Sequence, residues 1–441
     1  MSWKTELLGN LLIESRMPAI YPNPDKRIRV KLNVAGVEKR PLENEVEGAT
    51  KQFIRKAGQF IYGKQNFHKG AFGIIPPELD GYETSADIPS FDVREDCLPE
   101  WIFYFFKINN KYIELEKIAR GMGSKRIHPE QLASIKIPLP KIDDQKVYIN
   151  KFREIETSTS GIDTENIYQF DLLNKIRQQI LQDAVHGKLV QQDPNDEPAS
   201  ILLERIKAEK EKLVREKNIK REKPLPPIKQ EDLPFEIPEN WGWCRLGEIL
   251  MHKPQNGYSP IESKKGKGIK CLTLTSTTSG TFKADYFKYV DVEISPDSFL
   301  WIKPNDILIQ RGNSIEYVGI AAIYKGKINE FIYPDLMIKI RVFDWLSAEF
   351  IHQVLISPYL RKYFQSKAFG AQKSMPKINQ EVVTHTLIPL PPLAEQRRIL
   401  AKVEMLIKIC DEMGYTIQQN QNYTQELLQV ALKEALEPKP N

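Results

Sequence analysis

Two stretches of this chain repeat each other at a fixed offset, and this duplication constrains the possible architectures more than any other feature. Ile137-Pro138-Leu139-Pro140 runs into Lys141-Ile142-Asp143-Asp144-Gln145-Lys146. Ile388-Pro389-Leu390-Pro391 runs into Pro392-Leu393-Ala394-Glu395-Gln396-Arg397, 251 positions on (388 − 137). In both, an extended Ile-Pro-Leu-Pro strand cannot continue as helix across its prolines, and an acidic residue with Gln then opens a helix. The match extends backwards, with Gly121 to Ile127 paralleled by Gly370 to Ile378. The halves also begin alike: Trp3 and Leu8-Gly9 correspond to Trp241 and Leu246-Gly247, 238 positions on (241 − 3). Between these anchors the two copies diverge.

Each Ile-Pro-Leu-Pro is followed by a long apolar stripe spaced alternately by four and three. In the second copy it comprises Ile399, Val403, Leu406, Cys410, Met413, Ile417, Asn420, Thr424, Leu427 and Ala431. In the first it comprises Tyr148, Phe152, Ile155, Thr159, Ile162, Asn166, Gln169, Leu173, Ile176 and Ile180. These are heptad a/d positions, and their length argues for a coiled coil. Helices from about Asp143 to His186 and from about Ala394 to Leu436 would each measure roughly 65 Å. Two matching stripes in one chain are expected to pair with each other, antiparallel. Thr157-Ser158-Thr159-Ser160-Gly161 are poor helix formers and mark a possible kink.

Between the halves, Gly187 is expected to cap the first helix. A polar loop from Gln191 to Ser200 leads into a charge-dense helix, Ile201 to Lys223, ended by Pro224-Leu225-Pro226-Pro227. That helix could touch phosphates, but a solvated helix with Glu/Lys pairs at i,i+4 explains it without a ligand.

The divergent halves read as short strands separated by Gly, Pro, Asn and Ser. The second half offers Ile269 to Leu274, Tyr286 to Val292, Asp306 to Gln310, Val318 to Tyr324 and Leu336 to Val342. The first offers Arg27 to Leu32, Gln52 to Ile54, Gln59 to Tyr62 and Phe72 to Ile75. Each half adds a short helix, Glu100 to Lys107 and Glu349 to Ile356. The fold class expected is α+β, two mixed-sheet domains joined by two long antiparallel coiled-coil helices in a pseudo-twofold repeat. The boundaries follow: 1–140, first domain; 141–190, central helix; 191–235, charged helix and Pro-rich linker; 236–391, second domain; 392–436, C-terminal helix.

Composition narrows the function. The chain has 441 residues, 41% hydrophobic and 27% charged, enough for ordinary cores. No apolar run approaches the roughly 20 residues that span a bilayer, and the start has no apolar leader, so a cytoplasmic protein is expected. Cys97, Cys244, Cys271 and Cys410 are too scattered for metal-ligand spacing and read as reduced thiols. The net charge of +5 permits a polyanionic partner without demanding one.

No phosphate-binding loop, no amine-methylating Asn-Pro-Pro-Tyr type motif and no HExxH occur in the sequence. Pro334-Asp335 with Ile338-Lys339-Ile340 lacks the acid two residues before the lysine that a nuclease site needs. A catalytic role is therefore not expected, and no metal or cofactor site is assigned. What remains is chemistry suited to reading bases. Gln310, Arg311, Asn313 and Ser314 stand at a strand exit, where Gln and Asn can pair with adenine and Arg with guanine. The corresponding place in the first half carries Lys64, Asn66 and His68. Lys125 and Arg126, and likewise Lys373 and Lys377, precede the Ile-Pro-Leu-Pro strands in loops suited to phosphate contact. These eleven residues are the DNA-binding candidates. The helix-seam candidates are Phe152, Ile155, Ile162, Leu173, Ile176, Ile180, Val403, Leu406, Cys410, Met413, Ile417 and Leu427.

Over essentially its whole length the chain resembles the specificity subunits of type I restriction-modification systems. The resemblance is carried by Ile388 to Arg397, its echo Ile137 to Gln145, Ile180-Leu181-Gln182-Asp183-Ala184-Val185-His186-Gly187-Lys188-Leu189, and Asp193-Pro194-Asn195-Asp196-Glu197-Pro198-Ala199-Ser200. It implies two target-recognition domains, each reading one half of a bipartite site in double-stranded DNA. It implies helices that fix the spacer and dock methyltransferase subunits, two being expected. The S-adenosylmethionine chemistry would belong to those partners, and ATP-driven translocation and cutting to a restriction subunit. The first copy departs from the pattern in having Lys141 for Pro392 and Asp143-Asp144 for Ala394-Glu395. Two other classes compete: a self-contained methyltransferase or nuclease, and a structural coiled-coil adaptor that binds only proteins.

Overall fold

The structure is a computed structural model, and it describes residues 3–41, 50–120, 125–219, 221, 223–368 and 376–436. The chain divides into two compact units, Met1–Tyr168 with Ile417–Asn441, and Gln169–Thr416. Each long helix contributes part of its length to each unit.

In the first unit a four-stranded antiparallel sheet runs in the order Leu12–Ser15, Ser90–Val93, Phe60–Tyr62, Phe72–Ile74. Alternation lets the strands bury Phe60, Tyr62, Phe72 and Phe91 on one core. The helix Pro99–Lys107 starts on a proline, whose fixed φ suits a first helical turn, and buries Trp101, Ile102, Tyr104 and Phe106 against that core. Ile149 and Phe152 of the first long helix and Leu432 of the second complete it.

In the second unit the four-stranded sheet runs Gln255–Asn256, Met337–Ile340, Ile307–Gln310, Ala321–Ile323, all antiparallel. A three-stranded sheet is mixed: Ile269–Leu272 pairs antiparallel with Phe287–Val290 and parallel with Phe331–Ile332. The strands expected in both halves are present, Gln52–Ile54 with the expected bounds and the others trimmed by one to three residues at their ends.

The repeat is structural as well as sequential. Lys4–Leu7 pairs with Lys136–Leu139 so that Thr5 faces Pro138; Gly242–Arg245 pairs with Leu387–Leu390 so that Trp243 faces Pro389. Proline is tolerated because each is a two-stranded ribbon with a free edge. Beside the ribbons, Leu8 N donates to Ile135 O and Leu246 N to Thr386 O, both at 2.8 Å. A side chain on Gly9 would meet Ala133 at 2.9 Å, and one on Gly247 would meet Thr384 at 2.5 Å, so glycine permits the same close packing in both copies.

The long helices span Ile142–Val185 and Leu393–Leu436, 44 residues each. The Ser/Thr/Gly stretch does not interrupt the first. Thr157, Ser158, Thr159, Ser160 and Thr164 each return a hydroxyl hydrogen bond to a carbonyl three or four residues back. Thr424 does the same in the second helix, so the threonines of the stripes are satisfied within their own helices, whereas the buried Asn166 leaves its Nδ2 without a partner. Inside the first unit, Leu428 and Leu432 pack with Ile149, Phe152 and Ile155. Inside the second, Leu173 lies against Gly414, and Arg177 Nη2 donates to Asp411 Oδ1 at 2.7 Å. The pairing within each unit is antiparallel.

The seam differs from the expected stripe in one of its two rows. Phe152, Leu173, Ile180, Val403, Cys410 and Ile417 are buried. The alternate row falls one residue later than the spacing suggested at 177 in the first helix and at 414, 421 and 428 in the second, while at 155/156, 169/170 and 406/407 both neighbours are half-buried. Ile162, Ile176, Met413 and Leu427 are therefore exposed, while Ile155 and Leu406 are half-buried. From each buried row the next contact can lie three or four residues on, and apolar residues at the +3 positions misdirected the assignment.

Gly187, at φ +71°, ends the first long helix, with Lys188 N donating to Asp183 O at 2.9 Å in the manner of a Schellman cap. The following loop docks on the start of the second long helix: Gln192 Nε2 donates to Glu395 Oε1 at 2.7 Å, and Arg398 pairs with Asp196 at 2.5 Å. The charged helix covers Ala199–Arg215, ending earlier than expected, and buries Ala199, Leu202 and Ile206. Among the described residues no helix is long and apolar enough to cross a membrane.

Candidate nucleic-acid interface

In the second unit, the strand Ile307–Gln310 leaves its sheet where Met337–Ile340 enters, since Gln310 lies opposite Met337. The loop that follows is fixed from several sides. Arg311 N donates to Leu336 O at 2.7 Å, and Ile378 N donates to Arg311 O at 2.9 Å. Gly312 bridges Lys377, so two candidates distant in sequence become neighbours. Arg361 clamps the far side of the loop, donating to Glu316 O and Val318 O, both at 2.6 Å. Burial pulls the Arg361 guanidinium down to about 10. Gly319, at φ +77°, lies so close to Phe364 that a Cβ would come within 2.5 Å of it. Ser314, Ile315, Glu316 and Tyr317 are exposed on this braced loop.

Gln310 does not belong to the exposed set. It is fully buried; its amide donates to Leu274 O, Thr277 Oγ1 and Thr278 Oγ1, and its carbonyl accepts from Asn313 Nδ2. The side chain is committed to holding two loops together, which corrects its assignment as a base reader. Asn313 also accepts from Ser314 N at 2.8 Å, while Arg311 is half-buried with no bond to its Nε. Lys377 is exposed; Lys373 lies outside the described residues.

The first unit repeats this arrangement. Lys64, just beyond Phe60–Tyr62, donates its N–H to Asp87 O at 2.9 Å and accepts from Ile127 N at 2.8 Å. Arg126 stands beside it and reaches Asp87 Oδ1 at 3.2 Å, while Lys125 pairs with Glu116 at 2.9 Å. Asn66 accepts from Lys69 N and Ala71 N through its carbonyl, which shapes the turn. His68 is a second correction: its ring is nine-tenths buried, Nδ1 has no partner, and desolvation holds its pKa below the usual value.

Residues missed in the sequence share the same end of the second sheet. Gln255–Asn256 pairs with Met337–Ile340, so the segment after Asn256 emerges beside Asp335 and Leu336. That segment exposes Tyr258, Ser259, Ile261, Lys264, Lys265 and Lys267. The run Lys264-Lys265-Gly266-Lys267-Gly268 was the available signal. Among the described residues no group of three His, Cys, Asp or Glu side chains could hold a metal ion, and the four cysteines are buried and unpaired.

The family model described as "Type I restriction modification DNA specificity domain" matches residues 35–169 and 238–420. The chain belongs to this family. The two matches fall on the two copies of the repeat; the second covers both strands of its ribbon, and the first covers the loops and Lys136–Leu139 but not Lys4–Leu7. Among curated relatives, the chain is 34% identical over 268 residues to the type I restriction enzyme EcoEI specificity subunit of Escherichia coli, covering 60% of this chain and 45% of that protein. It is 37% identical over 252 residues to the EcoAI specificity subunit of Escherichia coli, covering 56% and 41%. The chain thus spans less than half the length of these curated relatives in the matched regions. A solved structure described as "Structural basis underlying complex assembly and conformational transition of the type I R-M system" contains a chain that superposes with a TM-score of 0.58 at 16% identity, covering 100% of this chain and 98% of that one. The fold is shared with it.

Proposed function

We propose that this chain is the sequence-reading subunit of a type I restriction-modification assembly, with double-stranded DNA as its ligand and no catalysis of its own. The observation that carries this reading is the same device in both units. A strand exit, Lys64 or Arg311, is bonded through its carbonyl to Ile127 or Ile378, with a basic residue, Arg126 or Lys377, alongside. Cations beside a braced, exposed turn suit phosphate positioning together with base-edge contact in the major groove.

Each unit then reads one half of a bipartite site. Arg311, Asn313 and Ser314 serve the second half-site; Lys64, Asn66 and Arg126 serve the first. The two 44-residue helices, about 66 Å each, set the spacer and carry two methyltransferase subunits, through which the restriction subunit joins. One turn of DNA is about 34 Å, so helices of this length can hold two major-groove contacts apart. The assembly acts in the cytoplasm, where chromosomal DNA is its substrate.

The test is selection from a random duplex pool with the full chain assembled with its modification subunits, together with mapping of methylated bases in host DNA with and without this chain. Enrichment of one bipartite sequence, and methylation that disappears with the chain, are expected. Binding without sequence enrichment, or methylation or cleavage by the isolated chain, would overturn the proposal.

A further inference from the structure

An exposed acid held by a hydrogen bond stands at the reading end of the second domain, where a polyanion would be expected to exclude it. Asp335 sits on the turn Pro334–Leu336 that precedes Met337–Ile340, and both flanks of this turn are fixed. Leu336 O accepts from Arg311 N, and Pro334 O accepts from Met337 N at 3.0 Å. On the other side the segment from Gly257 is pressed against it: a Cβ on Gly257 would fall 2.3 Å from Pro334 O, and Tyr258 N donates to Tyr333 O at 2.9 Å.

The carboxylate is oriented as well. Ser259 Oγ donates to Asp335 Oδ1, and Asp335 N donates to Ser259 Oγ at 3.1 Å, a reciprocal pair that leaves Oδ2 open. Among the described residues no ion pair engages Asp335. The first domain differs at this place: Asp87, whose carbonyl accepts from Lys64 N as Leu336 accepts from Arg311 N, is neutralised by Arg126. Glu262 and Glu316 are also exposed near the second site, but among the described residues no hydrogen bond fixes either carboxylate.

A fixed carboxylate next to the Leu336 carbonyl that holds Arg311 N weakens attraction to phosphate, so its presence favours discrimination over affinity. An ionised carboxylate only accepts hydrogen bonds. In the major groove it is repelled by guanine O6 and N7 and by thymine O4. Adenine flanks its amino group with the N7 acceptor, whereas cytosine offers its N4 amino group alone. We propose that Asp335, oriented by Ser259, accepts a hydrogen bond from the N4 amino group of a cytosine and specifies one base of the second half-site. Asp335 is then a specificity residue and Ser259 a positioning residue. This rests on the DNA-reading function proposed above.

The experiment is duplex-pool selection with the full chain assembled with its modification subunits, comparing wild type with Asp335→Ala, Asp335→Asn, Ser259→Ala and Ser259→Thr. Wild type is expected to require cytosine at one position of one half-site. Asp335→Ala should reduce that preference about 10-fold while raising affinity for random duplex. Asp335→Asn should move the preference toward adenine, which an amide pairs bidentately. Ser259→Ala should weaken the cytosine preference and Ser259→Thr restore it. Unchanged selectivity at the other half-site certifies that each variant is folded. Retention of the cytosine preference by Asp335→Ala, or a second half-site without a cytosine requirement in wild type, overturns this assignment alone. Absence of any sequence enrichment by wild type overturns the underlying function.

Discussion

Arg177 and Asp411 face one another across the two long helices, Nη2 to Oδ1 at 2.7 Å, one turn from the place where Leu173 lies against Gly414. Both charged side chains keep substantial contact with solvent, 32% and 63%, so the pair contributes at most about 1 kcal/mol. The seam is held by packing, and its phase can be tested. Leu173→Asp, a charge in a buried position, should lower stability by about 3 kcal/mol or more, whereas Met413→Asp, on the exposed side, should stay within about 0.5 kcal/mol. Thermal unfolding of the full chain distinguishes the two, and equal damage from Met413→Asp would restore the phase suggested by the heptad spacing.

Arg361 braces the loop at 314–318 in the second domain. Replacing it with Met keeps the aliphatic stem but leaves the carbonyls of Glu316 and Val318 without their charged donor. A loss of about 2 kcal/mol in stability is expected, together with lower selectivity at one half-site. Unfolding curves and pool selection report the two effects; intact selectivity would mean the loop holds its shape unaided.

Arg311→Ala should cost about 1–3 kcal/mol in binding the preferred sequence and relax one base position. Titration against preferred and scrambled duplexes provides the measurement. An equal loss on both would make Arg311 a phosphate contact.

Glu395 supplies a pH dependence. Burial raises its pKa, opposed by the Trp241 indole, then by the hydrogen bond from Gln192 and the nearby Arg398. A raised carboxyl binds its proton more tightly in the folded chain, so its contribution to stability is full at low pH and is lost as pH rises through the folded value. Glu395→Gln, nearly isosteric and still able to accept from Gln192, should raise the melting temperature at neutral pH. The difference from wild type should vanish as pH falls to the ordinary carboxylate range. A difference independent of pH would remove Glu395 as its source.

Much of the fold was legible in the sequence because its signals are local. The Ile-Pro-Leu-Pro strands, the cap at Gly187 and the more apolar strands of both halves each announce themselves within a few residues, whereas Leu12–Ser15, Ser90–Val93, Gln255–Asn256 and Phe331–Ile332 were not expected. The second seam row was not, since a choice between +3 and +4 depends on the partner helix: Met413 looks apolar enough to be buried, and Gly414 is the residue that is half-covered. Gln310 was misplaced for a related reason. A polar residue at a strand exit looks the same whether it faces solvent or ties down a second loop. The neighbouring of Lys64 with Arg126, and of Arg311 with Lys377, depends on ladder contacts more than sixty residues apart and leaves no local trace.

The ribbons pairing Thr5 with Pro138 and Trp243 with Pro389 bring the chain's way into each domain beside its way out. Whatever lies between 8 and 135, or between 246 and 386, is thus a graft on a closed stem. A different insert with the same two ends could be exchanged there, by recombination or at the bench, without re-registering the helices that follow. New specificity would then arise by replacing one cassette at a time, and a single crossover could change one half-site while the other stays as it was.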